Sequence, residues 1–100
     1  MEDSRATDKK FGRANDLTVQ MISVFLQQPC SYCGETELQM TLDRIDNKTG
    51  HVKSNVKTCC VRCNHIRRDM PYKAWELFIP VLKKVRDCGA FGEWTSQIHK

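Results

Sequence analysis

Apolar residues recur at two different periods along the chain, and each period predicts its own elements. Leu17, Met21, Val24 and Phe25 follow at spacings of four, three and one, the stripe of an amphipathic helix. Asn15 or Asp16 is placed to cap it and Pro29 to end it, so a helix is predicted to run through about Gln28. From Leu38 to Ile45 the pattern changes: Leu38, Met40 and Leu42 alternate with polar residues, as in a strand with one covered face. Asn47, Lys48, Thr49 and Gly50 read as a turn, and residues 51–57 as a short return segment, giving a hairpin or wide loop. A short helix is predicted from Asn64 to Met70, and Pro71 suits the first turn of another. Trp75, Phe78, Ile79, Leu82 and Val85 carry that second stripe through Pro80 as one element, and Gly89 is a natural stop. Phe91 and Trp94 are packing anchors in the tail. Residues 1–13 show no periodicity and read as a mobile arm, in which Lys9, Lys10 and Arg13 are able to touch nucleic acid. The rest, 14–100, reads as a single α+β domain.

Cysteine spacing makes that picture specific. Cys30-Ser-Tyr-Cys33 and Cys60-Val-Arg-Cys63 are separated by 26 residues. Paired Cys-x-x-Cys knuckles are the pattern of a tetrahedral four-thiolate zinc site, because a two-residue spacer lets both sulfurs face one ion. Cys59 is a conceivable substitute for Cys60, but symmetry with the first knuckle favours Cys60. Cys88 stands apart and reads as a buried small hydrophobe. A chain of 100 residues buries only a small core, so the metal is expected to supply part of the folding free energy. Zinc spacing, with no apolar span or targeting region in the sequence, predicts a reducing compartment, the cytoplasm, or a host's cytoplasm for a phage-encoded chain.

The net charge is only +4, from 16 basic and 12 acidic residues. Its distribution says more. Arg44, Lys48, Lys53, Lys57, Arg62, Arg67 and Arg68 face a single acidic residue, Asp46, between positions 44 and 68. A basic surface around a metal-clamped centre is a footprint for a phosphate backbone, although an ordinary solvated face has the same composition. The same segment carries Asp43, Asp46, Asn47, His51, Asn55, Asn64 and His65. If Asp43 at a strand end and Asn64 at a helix start converge, a carboxylate and an amide oxygen are available to one hard divalent cation. A nearby imidazole would then take a proton from water, which is the chemistry of phosphodiester hydrolysis. Capping of turns and helices is the competing explanation for these side chains.

Taken in order, Cys30-x-x-Cys33-Gly34, Leu42-Asp43-Arg44-Ile45-Asp46-Asn47, Gly50, Asn55-Val56 and Cys60-x-x-Cys63-Asn64-x-x-Arg67 resemble the HNH nucleases of the ββα-metal superfamily, in particular the zinc-bearing, phage-type members. The resemblance covers about residues 30–70. It implies a β-hairpin and helix around a catalytic Mg²⁺ or Mn²⁺, with a separate structural zinc. By this resemblance Asp43 and Asn64 bind the catalytic ion, Asn55 fixes the loop and orients the catalytic imidazole, and Arg67 contacts a DNA phosphate. The family's general-base histidine directly follows the aspartate, whereas this chain has Arg44 there. Arginine cannot act as a base near neutrality, though its fork can clamp a phosphate. His51 is then the first choice for the imidazole and His65 the second. The implied activity is a DNA endonuclease with Arg44, Lys53, Lys57, Arg67 and Arg68 on backbone phosphates. The alternative is an inactive zinc module that binds nucleic acid or a phage or bacterial protein. No oligomeric state is implied.

Overall fold

The computed structural model describes residues 15–95, so the arm predicted over 1–13, with Lys9, Lys10 and Arg13, lies outside the described residues. The order is α1 (Val19–Leu26), β1 (Met40–Arg44), one 3-10 turn (Lys53–Asn55), β2 (Val56–Cys60), α2 (Val61–Arg67) and α3 (Tyr72–Asp87). The architecture is a small α+β fold with a two-stranded sheet and three helices among the described residues. None of these helices is long and apolar enough to cross a membrane.

Helix α1 starts later than its stripe suggests. Thr18, in extended conformation, caps it by accepting from the Met21 N–H at 3.1 Å. The two expected caps do other work: Asn15 Oδ1 accepts from the Leu17 N–H, and Asp16 Oδ1 accepts from the Lys53 N–H at 2.8 Å, at the head of the 3-10 turn. Only part of the predicted stripe is covered, since Leu17 is buried but Val24 is 60% exposed.

β1 and β2 pair antiparallel, with Met40 opposite Cys60, Leu42 opposite Thr58 and Asp43 opposite Lys57. The return strand therefore begins at Val56 and runs into the second knuckle, later than the 51–57 segment. Both faces of the hairpin are used, because side chains alternate across the sheet. On one face the Thr58 hydroxyl donates to the Phe25 carbonyl of α1 at 2.6 Å. On the other, Thr41 and Asp43 meet α2. This is why Asp43 is buried in a strand whose apolar alternation pointed to Leu38, Met40 and Leu42, of which only Met40 is buried.

Helix α3 remains one element through Pro80. Trp75 and Leu82 are buried and Ile79 is half-buried, but Phe78 is 49% exposed. The predicted stripe is thus wider than the face the helix covers. Gly89 stops the chain with φ +75°, a conformation available to glycine at no steric cost. Cys88, expected to be buried, is exposed. Phe91 stacks with Trp94 at 5.8 Å, and the Arg62 guanidinium lies 4.0 Å above the Phe91 ring while pairing with Glu35 at 3.3 Å. The tail anchors therefore hold a buried arginine in place.

Cys30, Cys33, Cys59, Cys60 and Cys63 make up five of the nine residues in the main buried cluster of the described residues, the others being Tyr32, Met40, Trp75 and Leu82. Sulfur takes the place that hydrocarbon occupies in a larger core.

Candidate functional site

The four knuckle cysteines come together at the junction of β2 and α2. The first knuckle is closed by two backbone bonds, Cys30 N–H to Glu35 O at 2.9 Å and Gly34 N–H to Cys30 O at 3.0 Å. Gly34 turns it with φ +83°. In the second, Cys60 is the N-cap of α2 and its Sγ accepts from the Cys63 N–H. The ligand atoms of Cys30, Cys33, Cys60 and Cys63 all lie within 4.8 Å of one another, and the Cys33 and Cys60 sulfurs are 3.8 Å apart. A tetrahedral zinc with bonds of about 2.3 Å has edges of about 3.8 Å, so the cluster fits that ion. Left to themselves, the thiols would share protons unevenly. Hydrogen bonding with Cys33 first, then with Cys59, Cys60 and Cys63, holds the Cys30 thiol far below its ordinary range. Hydrogen bonding with Cys30 pushes Cys60 and Cys63 up. One thiolate can be solvated by thiol neighbours; four require a cation. Cys59 is buried beside the cluster but stands outside the ligand set, with its Sγ directed to the Cys60 carbonyl. The spacing argument for Cys60 over Cys59 therefore agrees with the geometry.

Asp43 lies in β1 on the face that α2 covers. Its Oδ2 accepts from the Tyr32 hydroxyl at 2.5 Å and from Arg67 Nη1 at 2.5 Å. Burial first, and then the bond to Asp43, push the Tyr32 phenol well above its ordinary range, so Tyr32 is a donor. Arg67 is turned inward, not toward solvent as a phosphate contact would require, and its side chain is 0% exposed. Each of its five N–H donors has a partner: Nε on Met70 O, Nη1 on Asp43 and Arg44 O, Nη2 on Ile45 O and Asn47 Oδ1. Arg62 is likewise buried. The exposed cations of the basic segment are Lys48, Lys53, Lys57 and Arg68, with Arg44 half-buried.

Arg44 follows Asp43 and curls onto its own loop, Nη1 donating to Asn47 O at 2.8 Å and Thr49 O at 3.4 Å. That loop is closed by buried Asn55, whose Oδ1 accepts from the Asp46 N–H while Nδ2 donates to Asp46 O and Gly50 O. Asp46 bonds the Lys48 N–H, which holds its carboxyl below the usual range. Asn47 reaches across to donate to Asp69 O. His51 is buried in the same loop.

Asn64 leaves the first turn of α2 and donates from Nδ2 to Thr41 Oγ1 at 2.8 Å, and that hydroxyl donates in turn to Cys59 O at 2.7 Å. With Thr41, Val61 and exposed His65, it lines an open recess of about 280 Å³. Asn64 thus reaches the hairpin from α2 at Thr41, two strand residues before Asp43, and the two side chains are bonded to different partners, Asn64 to Thr41 and Asp43 to Tyr32 and Arg67. Sequence reasoning passed over Tyr32, Thr41 and the inward role of Arg67. The signals were present: Tyr32 sits inside a metal knuckle, Thr41 shares the strand face of Asp43, and Arg67 follows Cys63 by four, on the same helix face.

No family model matches the chain. The fold does have a likeness among solved structures. It is similar to that of the rare-cutting HNH restriction endonuclease PacI. The TM-score is 0.68 at 19% identity, over 86% of this chain and 75% of the other. At that identity the likeness speaks for the fold. Among curated proteins, an uncharacterised protein of Acanthamoeba polyphaga mimivirus is 33% identical over 46 residues, which take in 43% of this chain and 9% of the relative. The chain thus matches under a tenth of that relative's length.

Proposed function

We propose that the protein is a DNA endonuclease that hydrolyses phosphodiesters with a divalent ion, Mg²⁺ or Mn²⁺, at Asp43 and Asn64. The observation that carries this reading is the position of Asp43: a buried carboxylate on the hairpin face that α2 covers, in a fold similar to that of an HNH restriction endonuclease. A divalent ion there would stabilise charge building up on the phosphate and the departing oxygen. Arg44 is not the base, since a guanidinium keeps its protons, and here it donates to the carbonyls of its own loop. His65, exposed in the recess beside Asn64, is better placed than buried His51 to accept a proton from water.

The test is incubation of the zinc-loaded chain with plasmid DNA and Mg²⁺ or Mn²⁺, where nicking is expected. Asp43→Asn should reduce the rate by about 100-fold or more, the usual scale for removing a group that stabilises transition-state charge. Asparagine is the right probe because alanine would leave buried Arg67 without an acceptor. An intact-zinc preparation that cuts no duplex, nicked, branched or single-stranded DNA would sink the reading.

Exposed Lys53, Lys57 and Arg68 supply the proposed backbone contacts. Binding should weaken with salt, and each Lys→Ala or Arg→Ala change should shallow the log–log salt slope by about 1. A slope unchanged in the triple variant would remove these residues from the interface.

One observation favours a second reading. Arg67 already neutralises Asp43, as in an ion pair kept for structure, which suits a zinc module that binds nucleic acid without cutting it. DNA affinity unaltered by Asp43→Asn, in a protein that never nicks, would support that reading.

A further inference from the structure

Tyr32 belongs to the zinc knuckle by sequence and to Asp43 by contact. Cys30 and Cys33 on either side of it belong to the four-cysteine cluster that fits zinc, and the Ser31 N–H between them donates to Thr58 O at 2.8 Å, tying the knuckle to β2. The ring is held from the other side by α3, edge-on to Trp75 at 5.3 Å and tilted against Tyr72 at 6.3 Å. The residue is 1% exposed, and its hydroxyl donates to Asp43 Oδ2. Arg67 reaches the same oxygen from α2. Two donors on one carboxylate oxygen fix the plane of the group, which aims Oδ1, the oxygen in neither bond, in a single direction. Groups one bond removed from a metal ligand commonly set its orientation in this way.

We propose that Tyr32 is a positioning residue for Asp43, so that the zinc centre and the proposed cation site form one mechanical unit joined by a phenol. This rests on the reading of Asp43 as a ligand for a divalent cation. Tyr32 neither touches DNA nor binds the cation; it acts only through the carboxylate. A purely structural phenol would satisfy a buried acid and leave cation affinity alone.

Tyr32→Phe separates the two, because it keeps the ring and removes the hydroxyl. In the full, zinc-loaded chain, Mn²⁺ affinity measured by titration calorimetry should fall about 10- to 100-fold, with zinc content and far-UV dichroism unchanged. Cleavage should become correspondingly hungrier for Mn²⁺. In an Asp43→Asn background the same change should have no further effect on residual Mn²⁺ affinity or cleavage, because coupled residues are non-additive. Wild-type Mn²⁺ affinity in Tyr32→Phe, or an equal loss in both backgrounds, would overturn the proposal. So would loss of zinc from Tyr32→Phe, which would assign the hydroxyl to holding the knuckle. A wild-type chain that binds no Mn²⁺ would instead remove the cation site itself, and this proposal with it.

Discussion

Stripping the metal from the four cysteines is expected to unfold the protein. The main buried cluster of the described residues consists chiefly of cysteine sulfurs with Tyr32, Met40, Trp75 and Leu82 around them, and the four clustered sulfurs join the first knuckle to β2 and α2. Structural zinc contributes about 10–16 kcal/mol of apparent binding free energy in small domains. The whole stability of a domain is only about 5–15 kcal/mol, so little is left once the ion is gone. The thiols would also be left crowded in a buried space. Chelation should abolish the cooperative thermal transition and most of the helical dichroism. Cys63→Ser should do the same without chelator, since Cys63 is fully buried and anchors α2 to the hairpin. Cys88→Ser, at an exposed position, serves as the control and should melt with the wild type. A chelated chain that still melts cooperatively within a few degrees of the loaded one would mean that the cysteines are ordinary core.

The four-cysteine cluster was legible because its rule is local: two residues between paired cysteines, repeated once. The caps were not, because Asn15, Asp16 and Thr18 are all competent and the choice among them depends on a distant segment. Asp16 is drawn to the Lys53 N–H, which leaves Thr18 to begin α1. The stripes of α1 and α3 predicted the right elements but overstated what they bury. Val24 and Phe78 lie at helical spacing from core residues, yet among the described residues no further layer covers them. Cys88 falls outside for the same reason.

At the site, Asp43 was expected at a strand end and lies in β1, and Asn55, to which the family resemblance assigned fixing the loop and orienting an imidazole, bonds Asp46 and Gly50 across that loop. What the sequence did not reveal is the identity of each partner. Seven cations between positions 44 and 68 read as one basic surface, but two of them point inward. Helix phase separates them: Arg67 follows Cys63 by one turn and so faces the hairpin, whereas Arg68 ends the helix with φ +53° and is exposed. Charge counted along the chain cannot see that difference, and phase measured from a metal ligand can.

Arg67→Ala is accordingly expected to cost about 3–5 kcal/mol, the scale for breaking a buried ion pair from one side. The loss has two parts. Asp43 is left buried without its guanidinium partner, with the Tyr32 hydroxyl as its remaining side-chain donor. The carbonyls of Arg44, Ile45 and Met70 and the Asn47 amide oxygen lose this donor at the same time and must turn to water or go unpaired. Arg67→Lys should recover only part, because three donors on a flexible stem cannot replace five in a planar fork. By contrast, Lys53→Ala on the surface should lie within about 0.5 kcal/mol of wild type. Urea unfolding of the zinc-loaded variants measures all three. If Arg67→Ala were as mild as Lys53→Ala, the guanidinium would have to spend its time in solvent, free to meet a phosphate, and the lock it forms across Asp43 and the following loop would not exist.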